Sequence, residues 1–117
     1  MKTPAQYSTA ILISRYGMGH ADGDLQRKLI STYLTMLNDN GYLPGAMCFY
    51  TDGVKLVVNG SPVLDQLKSL EAKGVRLIVC NTCLKHYRLE GEVQVGIVGG
   101  MHDIIVAQWQ AEKVISI

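Results

Sequence analysis

The feature that most restricts the fold of this chain is an alternation of short apolar runs, rich in β-branched residues, with longer amphipathic segments. Parallel strands need crossover connections, and helices are the usual crossovers, so this order predicts a parallel sheet covered by helices on both faces. A length of 117 residues suits one compact core. We therefore expect a single domain over residues 1–117: a three-layer α/β/α sandwich with a five-stranded, mainly parallel sheet.

The bounds of the predicted elements come from the glycine, proline and polar residues between the periodic segments. The predicted strands span residues 9–14, 46–50, 75–79, 93–98 and 114–117, and the predicted helices end near residues 40, 74, 89 and 112. Asp22 or Asp24 is expected to cap the first helix, and Gly60-Ser61-Pro62 is expected to begin the second one. Ligands of parallel sheets bind beyond the carboxyl ends of the strands, which predicts a site among loops 15–23, 51–56, 81–83 and 99–103.

Composition and charge argue against several classes of partner. A formal net charge of +1 shows no basic excess for binding nucleic acid. No apolar stretch is long enough to span a membrane and the N-terminus is too polar for a signal peptide, so we expect a cytoplasmic protein without a membrane partner. The hydrophobic share of 48%, with Val57, Val58 and Trp109 expected to be exposed, predicts a homo-oligomer.

The chain has three cysteines, an odd number, and a reducing compartment argues against a disulfide framework. Cys48 lies between Met47 and Phe49 in a predicted strand and reads as a small buried hydrophobe. Cys80 and Cys83 form a Cys-x-x-Cys pair where the third predicted strand ends. This pair is the primary candidate for chemistry.

Several interpretations of the pair compete. Structural zinc needs four ligands, and His20, His86 and His102 are scattered along the chain, so we expect no metal and no cofactor. A dithiol cycle, a thiolate that carries sulfane sulfur, and inert packing of Cys80 all remain open. If Asn81 and Thr82 cap a helix that contains Cys83 in its first turn, unpaired amides there would lower the pKa of at least one thiol of the pair.

A glycine-containing loop follows the first predicted strand. Gly17, Gly19 and Asp22 approach the G-x-G-x-x-G pattern, but Asp22 replaces the third glycine and its carboxylate would repel a phosphate. The structural interpretation is a tight turn with Asp22 as helix cap. His20 is the acid–base candidate of this loop, and we expect it to lie beside the cysteines.

Several segments in a fixed order resemble the DsrE/DsrF-like family. They are Ala10-Ile-Leu-Ile-Ser, Gly17-Met-Gly-His20, Phe49-Tyr50 with Gly53-Val54-Lys55-Leu56, Val63-Leu64 with Leu67 and Leu70, Gly74-Val75, and Cys80-Asn-Thr-Cys83-Leu84. The likeness covers nearly the whole chain and is greatest to the DsrE-like domain of YedF-type proteins.

The resemblance implies a five-stranded α/β/α domain assembled into trimers or hexamers, and transfer of persulfide sulfur to a partner protein. It matches Cys80 to the relay cysteine and Cys83 to the additional cysteine of YedF-type domains. Gly17, Gly19, Asn81 and Thr82 would contribute binding contacts. The alternative function is a non-catalytic oligomeric module that binds a small molecule or a protein at loops 17–22 and 81–83.

Overall fold

The computed structural model describes residues 8–117, which form a five-stranded sheet. The strands are β1 (Thr9–Ile13), β2 (Ala46–Phe49), β3 (Arg76–Cys80), β4 (Ile97–Gly99) and β5 (Lys113–Ser116). Their order across the sheet is β4-β3-β2-β1-β5, and every neighbouring pair is parallel. The predicted parallel sheet is confirmed.

Helices connect these strands and cover both faces of the sheet. They are α1 (Gly23–Asn40), α2 (Leu64–Ala72), α3 (Asn81–Tyr87) and α4 (Met101–Gln110), with 3-10 segments at Thr51–Leu56 and Glu90–Glu92. Adjacent residues of a strand point to opposite faces. Ile11 lines a cavity with Tyr33 of α1, whereas Ala10 lines another with Ala107 of α4, so α1 and α4 cover opposite faces and the three-layer fold is confirmed.

The core lies on the central strands. All four residues of β2 are buried, because this strand has a strand on each side and helices above and below it. The prediction for Cys48 is confirmed, since its side chain is fully buried. Val57 and Val58 are also buried, which contradicts the expectation that they would be exposed, whereas Trp109 is 84% exposed as expected.

Two predicted bounds were wrong for local reasons. Helix α2 begins at Leu64 rather than at Pro62, because the Ser61 hydroxyl accepts a bond from the amide of Val63 and forms a separate turn before the helix. The apolar run 93–98 is divided at Gly96, whose φ of +89° turns the chain. Val93 makes an antiparallel bridge with Val58, and only the part after Gly96 enters the sheet as β4.

The last predicted helix was also displaced. Helix α4 begins at Met101, three residues before the expected Ile104, and ends at Gln110. The Asp103 carboxylate accepts a 2.9 Å bond from the amide of Gly100, which satisfies a backbone donor just before the first turn. The remaining strand bounds lie within one residue of the prediction.

Candidate functional site

The two cysteines of the Cys-x-x-Cys pair meet at the carboxyl edge of the sheet. Cys80 is the last residue of β3 and is 3% exposed, whereas Cys83 lies in the first turn of α3 and is half-buried. Their Sγ atoms are 3.0 Å apart, and the thiol of Cys83 donates to the sulfur of Cys80. Both are free thiols, so the structure shows the reduced form of the pair.

The helix that carries Cys83 begins two residues earlier than expected. Strand β3 extends to Cys80, which pairs with Gly99, and the chain enters α3 directly at Asn81. Asn81 and Thr82 are therefore helical residues and do not cap the helix. Cys80 itself occupies the N-cap position, with no capping hydrogen bond from its side chain.

The sulfur of Cys83 has a backbone donor from outside the Cys-x-x-Cys segment. The amide of Thr51, at the start of the 3-10 segment after β2, donates to Cys83 Sγ over 3.1 Å. Strand β2 is the neighbour of β3 in the sheet, so the segments that follow the two strands meet at the same edge. Thr51 thus belongs to the site although it lies 32 residues before Cys83.

Burial raises the pKa of the Cys83 thiol, and the neighbouring Cys80 raises it further. The Thr51 amide acts in the opposite direction and lowers the pKa, because it donates to the anionic form. The expectation of a lowered pKa is therefore wrong for Cys83: loss of water around the sulfur outweighs the amide donor. Burial also raises the pKa of Cys48 to about 11.

The loop after β1 is a tight turn that leads into α1. The carboxylate of Asp22 accepts a bond from the amide of Leu25, which confirms Asp22 as the N-cap. A Cβ on Gly17 would lie 2.5 Å from the Cβ of Gln26, so the close approach of the loop to α1 requires glycine there. Gln26 also holds the loop, because its side-chain amide donates to the carbonyl of Gly19.

The glycine loop and the cysteines follow strands that are not adjacent. The loop follows β1 and the cysteines follow β3, with β2 between them. His20 is exposed on the loop, and its predicted contact with the thiols stays a prediction. The residues that the structure brings to Cys83 come from the segment after β2.

Sequence reasoning did not assign Thr51, Asp52 and Tyr87 to the site. The Tyr87 hydroxyl donates to the Asp52 carboxylate over 2.5 Å, and Lys55 pairs with the same carboxylate oxygen at 3.1 Å. One signal was present in the sequence, since loop 51–56 was among the four segments expected at the carboxyl edge. What was missing was the order of the strands, which makes this loop the neighbour of the cysteines.

Two cavities lie toward the other edge of the sheet, beside strand β5, whereas the cysteines lie at the end of β3. One, of about 490 Å³, is lined by apolar residues of α1 and β1 with Tyr42 and Lys113. The other, of about 510 Å³, is lined by Arg15, Met18 and Gly19 of the glycine loop together with Ser116 and Ile117. Neither cavity is lined by a cysteine.

Within residues 8–117, His, Cys, Asp and Glu form no group of three or more that could hold a metal ion. In the same residues, no helix is both long and apolar enough to cross a membrane.

Solved structures share this fold at low sequence identity. The ychN protein from E. coli matches with a TM-score of 0.68 and 13% identity, covering 94% of this chain and 99% of that protein. A protein of unknown function from Methanobacterium thermoautotrophicum, MTH1491, matches with a TM-score of 0.67 and 20% identity, covering 95% and 99%. BT1422 from Bacteroides thetaiotaomicron, also of unknown function, has a TM-score of 0.68 and 15% identity, covering 99% and 100%.

These neighbours show the class of fold, an α/β domain with a parallel sheet. A comparison with curated proteins finds no match. The model of the DsrE/DsrF-like family matches residues 8–117, which is nearly the whole chain. The chain belongs to the DsrE/DsrF-like family.

Proposed function

We propose that this protein carries sulfane sulfur, or exchanges disulfides, through Cys80 and Cys83 and passes the sulfur or the electrons to a partner protein. The observation that carries the proposal is the 3.0 Å separation of the two reduced sulfurs at the carboxyl edge of the sheet. At this distance one thiolate reaches the other sulfur with little movement of the chain. The association of the DsrE/DsrF-like family with sulfur relay supports the same chemistry.

The transfer starts when one cysteine thiolate attacks the outer sulfur of a donor persulfide. The new S–S bond makes the cysteine a persulfide, and the donor leaves as a thiolate. An acceptor thiolate can then remove the outer sulfur. Alternatively, the second cysteine attacks the inner sulfur, which forms the Cys80–Cys83 disulfide and expels hydrosulfide, so that the sulfane sulfur is reduced while the two thiols are oxidised. An external dithiol would then restore the reduced pair.

Either cysteine of the pair can carry the sulfur, with the other one resolving it. The family resemblance assigns the sulfur to Cys80, with Cys83 as the thiol that resolves it. Exposure favours the reverse order, in which Cys83 meets the partner first, because Cys83 is half-buried and Cys80 is almost completely buried. In both orders Asn81 and Thr82 are the residues between the two thiols, and they are exposed or half-exposed to a docking partner.

Mass spectrometry of the protein after incubation with a low-molecular-weight persulfide tests this proposal. We expect an added mass of one sulfur on Cys80 or Cys83 and none on Cys48. In Cys83→Ser the added sulfur should remain on Cys80 for longer, because no neighbouring thiol can expel it. A persulfide that forms only on Cys83 reverses the order, and the absence of any adduct on the pair under conditions that modify small thiols contradicts the proposal.

One observation favours the alternative function, a non-catalytic binding module. The cavity of about 510 Å³ beside β5 is lined by Met18 and Gly19, which belong to the loop that the sequence marked as a binding segment. Its basic residue Arg15 would suit an anionic ligand. Replacing Arg15 by Ala should abolish such binding and leave sulfur uptake unchanged, which separates the two functions.

We infer a cytoplasmic homo-oligomer, a trimer or hexamer, that works with a sulfur-carrier protein rather than with nucleic acid. Exposed apolar side chains on β4 and α4 support the assembly. His20 and Asp22 stay candidates for acid–base or loop contacts in that setting, and likeness to the YedF-type domain stays a prediction.

A further inference from the structure

Thr51 has a backbone conformation that a threonine rarely adopts. Its φ is +47°, in the left-handed region, where the Cβ of a β-branched residue is crowded. Such a conformation persists only when surrounding contacts hold it, and residues held in this way are concentrated at functional sites. The contacts around Thr51 therefore indicate what the strained conformation achieves.

One set of contacts holds the segment against the end of β1. The Thr51 hydroxyl donates to the carbonyl of Ser14 over 2.6 Å, and the amide of Tyr50 donates to the carbonyl of Ile13 over 3.1 Å. Gly53 lies so close to this strand that a Cβ would approach the Ile13 oxygen to 2.0 Å. These contacts hold the segment against the edge of the sheet but do not connect it to the helix that carries Cys83.

A second set of contacts makes that connection. Asp52 accepts the 2.5 Å bond from the hydroxyl of Tyr87, which lies on α3 one turn after Cys83. Lys55 contacts the same carboxylate and also lies 4.5 Å above the ring of Tyr87. A hydrogen bond to a carboxylate is stronger than one between neutral groups, so this bond is suited to holding the two segments in register.

The result of both sets is that the Thr51 amide points at the sulfur of Cys83. We propose that Asp52 and Tyr87 are positioning residues, which hold the Thr51 amide against Cys83 so that it stabilises an anionic sulfur there, either a thiolate or a persulfide. This inference rests on the proposed sulfur chemistry of the pair. A surface ion pair between Lys55 and Asp52 alone would not require Thr51 to adopt a left-handed conformation.

The variant that tests this is Tyr87→Phe, because it removes the hydroxyl while keeping the ring beneath Lys55 and the charge of Asp52. Asp52→Asn is less informative, since it also removes a negative charge and so favours the thiolate. Cys80 and Tyr87 both interact electrostatically with Cys83, and Asp52 and Lys55 lie against Tyr87. Phenylalanine cannot ionise, so measurements below pH ~9, where Tyr87 itself is neutral, compare the same charges in both proteins.

The first readout is the alkylation of Cys83 by iodoacetamide, followed peptide by peptide from pH 6 to 9. Loss of the amide donor should raise the pKa of Cys83, so its rate at pH 8 should fall by a factor of about 3–10 in Tyr87→Phe. Cys48 serves as an internal control for folding: because it is fully buried, it should stay almost unlabelled in both proteins, and labelling there would report unfolding. Tyr42→Phe, which alters an exposed tyrosine far from the pair in sequence, is the matched control and should behave as the wild type.

The second readout is the amide proton of Thr51 in a nuclear magnetic resonance titration. In the wild type its chemical shift should move as Cys83 ionises, and in Cys83→Ser this movement should disappear. In Tyr87→Phe the movement should be at least halved. A loss of stability alone would leave the Thr51 shift responsive to Cys83 in the folded molecules.

An unchanged or faster alkylation of Cys83 in Tyr87→Phe, with an unchanged Thr51 titration, overturns the proposal. Neither readout needs a persulfide to form. A different result is that the wild type accepts no sulfur while Tyr87→Phe still lowers the alkylation rate of Cys83. That result would support the positioning role and contradict the sulfur-transfer function.

Discussion

Opposing influences act on the sulfur of Cys83. Burial disfavours its thiolate and raises its pKa, whereas the amide of Thr51 favours the thiolate and lowers it. Burial has the larger effect, so at neutral pH the resting thiol is mostly protonated. A partner that brings a cation or removes a proton at this site would therefore increase its reactivity.

The three cysteines should differ in their pH profiles of alkylation. We expect the rate at Cys83 to reach half its maximum above the ordinary thiol pKa of about 8.5, because its pKa is raised. Cys48 should be nearly inert below pH 9, because its pKa is about 11 and its side chain is fully buried. Quantitative peptide mapping after brief labelling measures these rates. Equal rates at Cys48 and Cys83 would contradict the structure.

Gly53 should be intolerant of any side chain. In Gly53→Ala the new Cβ would meet the Ile13 carbonyl oxygen at 2.0 Å, so the backbone must shift. We expect a loss of about 2–3 kcal/mol in the free energy of unfolding, as for overpacked sites. Urea denaturation measures it. Gly91→Ala is the matched control: no atom lies within 4 Å of its Cβ position, and its stability should be nearly that of the wild type.

Among the elements, α1 depends on a single side chain for its start. The Asp22 carboxylate accepts a 3.0 Å hydrogen bond from the amide of Leu25. It lies at the N-terminus of the helix, where the helix dipole favours a negative charge. The glycine loop that leads to this cap is held by Gln26. The cap therefore links the stability of α1 to the conformation of the loop.

Removing that cap should have a measurable cost. Asp22→Ala should lower the free energy of unfolding by about 1 kcal/mol, because one amide of the first turn loses its partner. Asp22→Asn retains an oxygen acceptor and should lose less. Urea denaturation of the three proteins at one pH gives the comparison. An effect as large in Asp22→Asn as in Asp22→Ala would show that the charge, rather than the hydrogen bond, is responsible.

On the scale of the whole molecule, the edge strand β4 and the helix α4 form a surface with large exposed apolar side chains. These are Ile97 and Val98, which point to opposite faces of the sheet, and Met101, Ile105 and Trp109, which recur at intervals of four residues along one side of α4. Each of the five is at least 43% exposed. Such a surface is typical of an interface between subunits.

Trp109 is the one tryptophan of the chain, so its fluorescence reports whether this surface is covered. If the protein is an oligomer through β4 and α4, emission at micromolar concentration should be blue-shifted from that of free tryptophan. Ile105→Asp should shift the emission to the red and reduce the sedimenting mass to 12.8 kDa, because a charge would be buried in the interface.

Tyr42→Ser is the control, because Tyr42 is exposed but lies beside α1 and β5, at the other edge of the sheet. It should leave both the emission and the mass unchanged. Red emission from the wild type, with a mass of 12.8 kDa at micromolar concentration, would contradict assembly through this surface.

Local patterns were sufficient to predict the architecture. Strands β1, β2 and β3 begin and end within one residue of the apolar runs that predict them, because buried parallel strands need short runs of β-branched residues. The cap at Asp22 and the burial of Cys48 follow from equally local rules. Where local signals competed, as at Ser61, the prediction of a helix start failed because the hydroxyl formed its own turn.

The sequence by itself therefore determined the α/β alternation, the cysteine pair and its place at the end of a strand. Only the tertiary structure decided which residues surround Cys83. The pairing of β2 with β3 brings Thr51 to its sulfur and Asp52 to Tyr87 on the same helix, and strand order is set by packing of the whole sheet. The pKa of Cys83 was likewise decided only by the tertiary structure. A helix start predicts a lowered value, but the folded chain removes water from the sulfur, and that desolvation is larger than the effect of the amide that the fold supplies.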